Sequence, residues 1–297
     1  MLQQAIDNKR GMLAMIAAMA AFAINDAMMK YLAASLPVSE IMLLRGIVAA
    51  VLIAGVMWRT GDLVHFHEAR RGPVLLRAFF EAAVTIVYVT ALRSLPLGLV
   101  TSILQATPLI MTAMAASWGR ETVGWRRWSA VAVGFGGILL IAQPSPHGVE
   151  PAMGLALLAA FLVTFRDLST RLVPPRVPSL VIVLAASLGS TAAGGVVALN
   201  ETWLWPGQHE TILICAAAVT VLAGNLFITI AFRGTEVSAV SPFRYAAVPF
   251  ALLIGYLVWR DIPNALATCG IVLVVGAGLY AMHREALRLR AGSAVKA

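Results

Sequence analysis

The sequence is poor in charge, cysteine and histidine, and each shortage removes a class of protein. Of 297 residues only 12% are Asp, Glu, Lys or Arg, about half the ~25% of an ordinary soluble domain. With 60% hydrophobic residues and a mean hydropathy of +0.85, the chain lacks the polar side chains to cover a water-soluble fold of this size. Its two cysteines, Cys215 and Cys269, stand alone inside apolar runs. Neither a disulfide framework nor a metal site is expected from them. The five histidines fall in loops or at the ends of apolar runs, and the His65-x-His67 pair reads as part of a solvated loop. The chain has no GxxxxGK[ST] loop, so it carries no ATP-binding loop of that kind to drive work. No cofactor is expected.

What the sequence has in quantity is apolar segments, and about 20 residues suffice for one to cross a bilayer. Ten such segments are bounded by Arg, Pro, Gly or Ser, at 11–33, 39–58, 74–92, 97–118, 125–141, 151–172, 178–199, 211–232, 237–259 and 262–282. The chain therefore reads as an all-α polytopic membrane protein of ten transmembrane helices. The third and fourth segments, and the eighth and ninth, are joined so tightly that each pair forms an antiparallel hairpin. The first segment follows Lys9 and Arg10 and exceeds the roughly 7–15 apolar residues of a signal-peptide core, so it reads as a retained span.

The net charge of +8 would suggest a nucleic-acid partner in a soluble chain, but the basic residues are sorted by side. With the N-terminus placed inside, the cytoplasmic face receives Lys9, Arg10, Arg59, Arg70, Arg71, Arg120, Arg126, Arg127, Arg171, Arg176, Arg233, Arg284, Arg288, Arg290 and Lys296. The opposite face receives Arg93 and Arg260. This excess is the positive-inside pattern, and it implies cytoplasmic N and C termini. The partners expected are a small-molecule substrate and lipid, without nucleic acid, in a chain compatible with a monomer.

Shifting the sequence by about 140 residues aligns its two halves. Arg93 meets Arg233, Glu121 meets Asp261 and Gly136 meets Gly276 at 140, while Pro108 meets Pro249, Asp26 meets Asp167 and Lys30 meets Arg171 at 141. Residues 1–148 and 149–297 thus read as two five-helix repeats. Because five is odd, the second is inverted relative to the first, an arrangement typical of secondary transporters with a substrate site at the midplane.

The run LPLGLVTSILQATPLI, followed by Gly-Arg-Glu, and the run TEVSAVSPFRYAAVP, followed by Trp-Arg-Asp, resemble the EamA-type drug/metabolite transporter superfamily, as do the Gly-rich last helices of each half, VGFGGILLI and VVGAGLYA. The likeness covers nearly the whole chain, and within the superfamily it is nearest to the YddG-type bacterial amino-acid exporters. It implies a place in a bacterial inner membrane, and that spans one to four and six to nine surround a central cavity while five and ten pack outside.

Ionisable residues within spans are costly unless paired or facing a wet cavity, which makes them candidates for function. On the third span Arg77, Glu81, Thr85 and Tyr88 share one helical face. Glu81 is a candidate for a substrate ammonium or a coupling proton, or else a partner for Arg77. The fourth span offers Ser102, Gln105 and Pro108, whose missing N–H frees the Leu104 carbonyl. The ninth offers Pro242, Phe243, Arg244, Tyr245 and Pro249. Arg244 is a candidate for a substrate carboxylate, or for a structural lock on Asp167 or Glu81. Phe79, Tyr88, Phe243 and Tyr245 are candidate aromatic walls, and Asn225 joins Thr85 as its counterpart at 140. Asn25, Asp26 and Lys30 on the first span, and Arg166, Asp167 and Arg171 on the sixth, form a gating or static ion network in which Asp26 pairs with Lys30 and Asp167 with Arg171 at i,i+4.

The function expected is a secondary transporter exporting small metabolites, with amino acids, aromatic and hydrophobic ones included, as the leading substrates. S-adenosylmethionine, another metabolite or a cationic drug is the alternative. An integral-membrane enzyme is disfavoured, since no convergent His, Asp or Glu cluster lies near one interface.

Overall fold

The computed structural model describes residues 2–117, 125–144, 150–232, 235 and 240–294, and among these it is helical without strands. Arg120, Glu121, His147, Arg233 and Lys296 lie outside the described residues, as does most of the join between the eighth and ninth segments. Prolines open several helices, because a proline in the first turn sacrifices only an N–H that has no partner there. Helix α1 covers Leu2–Leu32. Pro37 precedes α2, Val38–Thr60, which stops at Gly61 with φ of 80°. A 3₁₀ helix, Asp62–Arg70, fills what the sequence suggested was a loop. Then follow α3, Gly72–Ser94, α4, Leu97–Leu104, α5, Thr107–Ser117, and α6, Trp125–Ala142. The second half holds α7, Pro151–Arg171, α8, Ser179–Ala198, and α9, Gln208–Phe232. A 3₁₀ helix at Ser241–Ala246 leads into α10, Ala247–Trp259, and α11, Ala265–Ala294, ends the described chain.

Nine helical stretches among the described residues are long and apolar enough to span a membrane, and Trp128–Ala142 is a shorter apolar helix. The outer surface is apolar at mid-helix: Val51, Leu139 and Val272 are each more than 60% exposed. Water would not tolerate so continuous an apolar exterior, and a bilayer supplies the matching solvent. The chain is a multi-pass membrane protein.

The expected fourth span, 97–118, is not one continuous helix. It breaks at Gln105–Ala106, between α4 and α5, because Pro108 cannot donate to the Leu104 carbonyl. That carbonyl instead accepts the hydroxyl of Thr107 at 2.6 Å. The ninth segment is likewise tightened into a 3₁₀ turn over Ser241–Ala246 before α10.

Small residues set the closest approaches, as lipid-embedded helices require. Where α6 crosses α11, a side chain on Gly137 would stand 2.8 Å from the Gly270 carbonyl oxygen. Where α2 crosses α8, one on Gly194 would stand 2.7 Å from the Ser39 carbonyl. The main pairings are α1 with α9, α3 with α7, α2 with α8, α6 with α11, α3 with α8, α2 with α9, α1 with α10, α4 with α7 and α4 with α10. Exchanging the first five segments for the last five turns this set into itself.

Candidate functional site

Helix α3 carries the polar face that its sequence spacing predicts, and three other helices close on it. Glu81 lies 3.7 Å from an Arg77 nitrogen one turn back and 3.6 Å from Arg166 on α7. Arg166 also donates to Asp167 through Nε at 3.0 Å and Nη2 at 2.9 Å. The Nε of Arg77 donates to Thr170 Oγ1 at 3.1 Å. Higher on α3, the Tyr88 hydroxyl donates to Asp26 Oδ2 at 2.8 Å, and Asn25 on α1 donates to Asp26 Oδ1 at 3.1 Å. Arg45, on α2, lies within the electrostatic reach of both Glu81 and Asp26. Three arginines and three carboxylates thus share one seam inside an apolar bundle, and their formal charges cancel.

Beside this seam lies a small cavity of about 80 Å³, open on one side to the outside. Its polar wall is Arg45, Arg77, Glu81 and Thr85 on α2 and α3. Facing it on α8 and α9 are Ser187, Ser190 and Asn225, with Val183, Val221 and Leu222 between them. Several of these groups are already occupied: Thr85 donates to the Glu81 carbonyl at 2.8 Å, Asn225 to the Val221 carbonyl at 2.8 Å, and Ser187 to the Gly46 carbonyl at 3.2 Å. Others are not. Arg45 Nε, Arg77 Nη1 and Ser190 Oγ are buried without a hydrogen-bond partner. Buried donors are normally satisfied, so three free ones on one cavity mark a place for an acceptor.

The two interrupted helices meet each other. Gln105, at the α4–α5 break, donates through Nε2 to the Arg244 carbonyl at 3.0 Å, and the Tyr245 hydroxyl donates to the Gln105 carbonyl at 3.4 Å. Gly278 on α11 leaves room for that hydroxyl. A third cluster ties one end of the bundle. Lys30 forms an ion pair with Asp261 at 3.9 Å, hydrogen-bonds the Leu95 carbonyl and sits 5.2 Å above the Trp259 ring.

The structure therefore brings together Asn25, Asp26, Arg77, Glu81, Thr85, Tyr88, Arg166 and Asp167, and separately Gln105 with Arg244 and Tyr245. It rearranges the expected i,i+4 pairs: Lys30 turns to Asp261 and Leu95, Asp26 is held by Tyr88 and Asn25, and Asp167 is held by its neighbour Arg166. Arg171 is exposed. Arg244 is exposed as well and does not lock Glu81 or Asp167, whose partners are Arg77 and Arg166. Phe79 stands more than half a helical turn from the polar face and is 66% exposed, meeting Phe80 edge-on. Phe243 packs with the apolar group around Met15 and Met19. The cavity lining contains none of the four expected aromatics. Ser102 is fully buried and bonded to the Gly98 carbonyl at 2.6 Å. Pro108 acts at the break just described, Pro242 lies in the 3₁₀ turn, and Pro249 lies in the first turn of α10. Sequence reasoning misses Arg45, Ser190, Asp261 and Trp259 as site residues. Arg45 was visible as a charge within a span, whereas Ser190 carries no sequence signal. Among the described residues, no group of three or more His, Cys, Asp or Glu is placed to hold a metal.

A helical membrane bundle with a charged cavity between its packed helices is the architecture of a membrane transporter, and comparison with known proteins agrees. The model of the EamA-like transporter family matches residues 9–143. A riboflavin transporter of Vibrio cholerae is 27% identical over 90% of both chains. The pseudopaline exporter of Pseudomonas aeruginosa is 27% identical over 90% of this chain and 94% of its own. An S-adenosylmethionine uptake transporter of Rickettsia felis is 22% identical over 88% of both chains. A crystal structure superimposes with a TM-score of 0.64 at 18% identity, covering 94% of this chain and 97% of the other, which supports the fold. Residues 9–143 match the EamA-like transporter family, and the relatives that align with nine-tenths of the chain are membrane transporters. The relatives' names do not single out the YddG-type exporters within that family.

Proposed function

We propose that the protein is a secondary transporter that exports small zwitterionic metabolites, amino acids above all, by alternating access between two inverted five-helix halves, 1–148 and 149–297. The observation that carries this reading is the cavity itself, with α2 and α3 on one side and α8 and α9 on the other. A site at the seam between halves is where a rocking motion exposes it to each face in turn. The helix pairings that survive exchange of the halves, and a family model that ends one residue past α6, support the two-unit division. Both termini then face the cytoplasm of a bacterial inner membrane, and a single chain holds the whole cavity. Lys30, with Asp261, Trp259 and the Leu95 carbonyl, closes one end, and the Arg77, Glu81, Arg166 and Asp167 network ties α3 to α7.

The test is flux in liposomes containing the purified full chain, with labelled Thr, Met, Phe and Trp inside. Saturable efflux stimulated by unlabelled substrate on the opposite side is expected of a carrier. Linear flux without stimulation would point to a channel, and no flux for any of the four would sink the amino-acid reading. The relatives named for riboflavin, S-adenosylmethionine and pseudopaline support a second reading, another metabolite or a cationic drug, which the same vesicles test with those compounds. An enzyme is the reading of a different class, and turnover of a lipid substrate in detergent would revive it.

A further inference from the structure

The cavity has a polarity that the charge count alone does not show. Its lining holds two guanidinium groups and one carboxylate, Arg45, Arg77 and Glu81. Glu81 is already engaged by two arginines at 3.6 and 3.7 Å. The oxygens of Asp26 are engaged by Asn25 and Tyr88, and Asp167 Oδ1 by Arg166. Each acid of the seam thus has a protein cation or donor beside it, while Arg45 Nε, Arg77 Nη1 and Ser190 Oγ have no acceptor. Within apolar surroundings an unmatched guanidinium is unfavourable, and a planar oxyanion matches its fork in both charge and geometry.

We propose that Arg45 and Arg77, with Ser190 facing them from α8, form the receptor for the carboxylate of the transported molecule, and that Glu81 holds the arginines in place rather than binding the substrate's ammonium. This rests on the reading of the chain as a carrier of small zwitterions and assigns which end of the substrate is read. It moves that role from Arg244, which is exposed and lies outside the cavity lining. Ile53, Val183, Val221 and Leu222 add an aliphatic side to the wall, beside Thr85, Ser187 and Asn225, whose donors are already taken by backbone carbonyls; the aliphatic side suits a compact apolar body.

The experiment is competition against labelled Met efflux from liposomes holding the full chain, with the Met series altered one group at a time. The free acid lacking its ammonium, 2-hydroxy-4-methylthiobutyrate, should compete within a few fold of Met. Methioninamide and the methyl ester, which keep the ammonium but mask the carboxylate, should compete at least about tenfold more weakly, the scale of one lost hydrogen bond to a charged group. Inorganic phosphate is the arm for a free anion. Saturating competition by phosphate at concentrations where the hydroxy acid has none would overturn the assignment to a carboxylate. Equal competition by methioninamide and Met would overturn it while leaving the transporter reading intact. An absence of efflux for Thr, Met, Phe and Trp alike would defeat both, and is read before any competitor is added; if Met is not carried but another of the four is, the same acid, amide and ester series is made on that one. Arg45→Gln should erase the preference for acid over amide, and Arg45→Lys should keep the sign of the preference with a reduced ratio. The competition series on the unaltered protein decides the matter even if a variant fails to fold.

Discussion

Removing the Glu81 charge tests whether α3 and α7 are coupled as the structure describes. In Glu81→Gln the two contacts at 3.7 Å to Arg77 and 3.6 Å to Arg166 lose their Coulombic part, and two arginines are left facing each other. The carboxylate side chain is 27% exposed, and its partners 15% and 22%, so the medium lies between water and a dry interior. Effective dielectric constants between about 80 and about 20 put each pair between about 1 and about 4.5 kcal/mol. Exposure by a quarter pulls the value toward the lower end. Arg166 keeps its two hydrogen bonds to Asp167 in the variant, which limits the loss further. The expected coupling between Glu81→Gln and Arg166→Gln is therefore about 1–2 kcal/mol, within the range for residues in one ion-pair network. The assay is a double-mutant cycle on unfolding in mixed micelles, repeated on the rate of efflux. Effects that add to within about 0.5 kcal/mol, the behaviour of independent sites, would refute the coupling.

Three other perturbations address separate parts of the molecule. Gly137→Val places a branched side chain 2.8 Å from the Gly270 carbonyl; it should separate α6 from α11 and cost about 1–3 kcal/mol, seen as a lower thermal aggregation midpoint in detergent. Thr107→Val leaves the Leu104 carbonyl without its 2.6 Å donor and should cost about 1–3 kcal/mol, whereas Thr107→Ser should be close to neutral, in the same measurement. Lys30→Gln removes the ion pair with Asp261 and the charge over Trp259; labelling of a cysteine placed at Leu95 from the bulk phase should quicken, and an unchanged rate would show that this cluster does not hold the end closed.

The sequence displays the helices plainly because lipid imposes long apolar runs, and the prolines and glycines that bound them are local signals. The break in the fourth segment was half legible: Pro108 announces a freed carbonyl at Leu104, but only the fold shows Thr107 taking it and the helix parting two residues before the proline. The α3 face was legible for the same reason, since spacings of four, four and three leave Arg77, Glu81, Thr85 and Tyr88 no other common side. Partners across helices were not. The i,i+4 rule pairs Asp26 with Lys30, yet Tyr88 and Asn25 offer Asp26 closer donors, while Lys30 extends past the helix end to Leu95 and Asp261. The aromatic walls failed similarly: Phe79 is two residues from Arg77, which on a helix points it some 200° away.

The helix packing respects the exchange of halves, and the polar chemistry does not. Asn25–Asp26 on α1 and Arg166–Asp167 on α7 stand 141 residues apart, and in each the first side chain donates to the aspartate that follows it. The first pair uses a neutral amide, and its aspartate also accepts from the neutral Tyr88 hydroxyl on α3. The second uses a guanidinium with donors to spare, and these reach Glu81, whose counterpart at 140 is Val221. The α3–α7 contact is therefore closed by charges, whereas its equivalent between α9 and α1 is closed by packing, with Gly224 against Phe22. Two halves of equal charge would give a carrier two end states of similar energy. Here the ion network sits on one of the two equivalent contacts, so opening that contact must separate charges, while opening the other separates packed surface such as Gly224 on Phe22 and the Tyr31–His209 ring contact, with no ion pair among the described residues. The free donors of Arg45 and Arg77 adjoin the charged contact. If the chain is the carrier proposed above, a substrate carboxylate bound there would compensate those charges as the contact loosens and would give the loaded carrier an easier passage than the empty one.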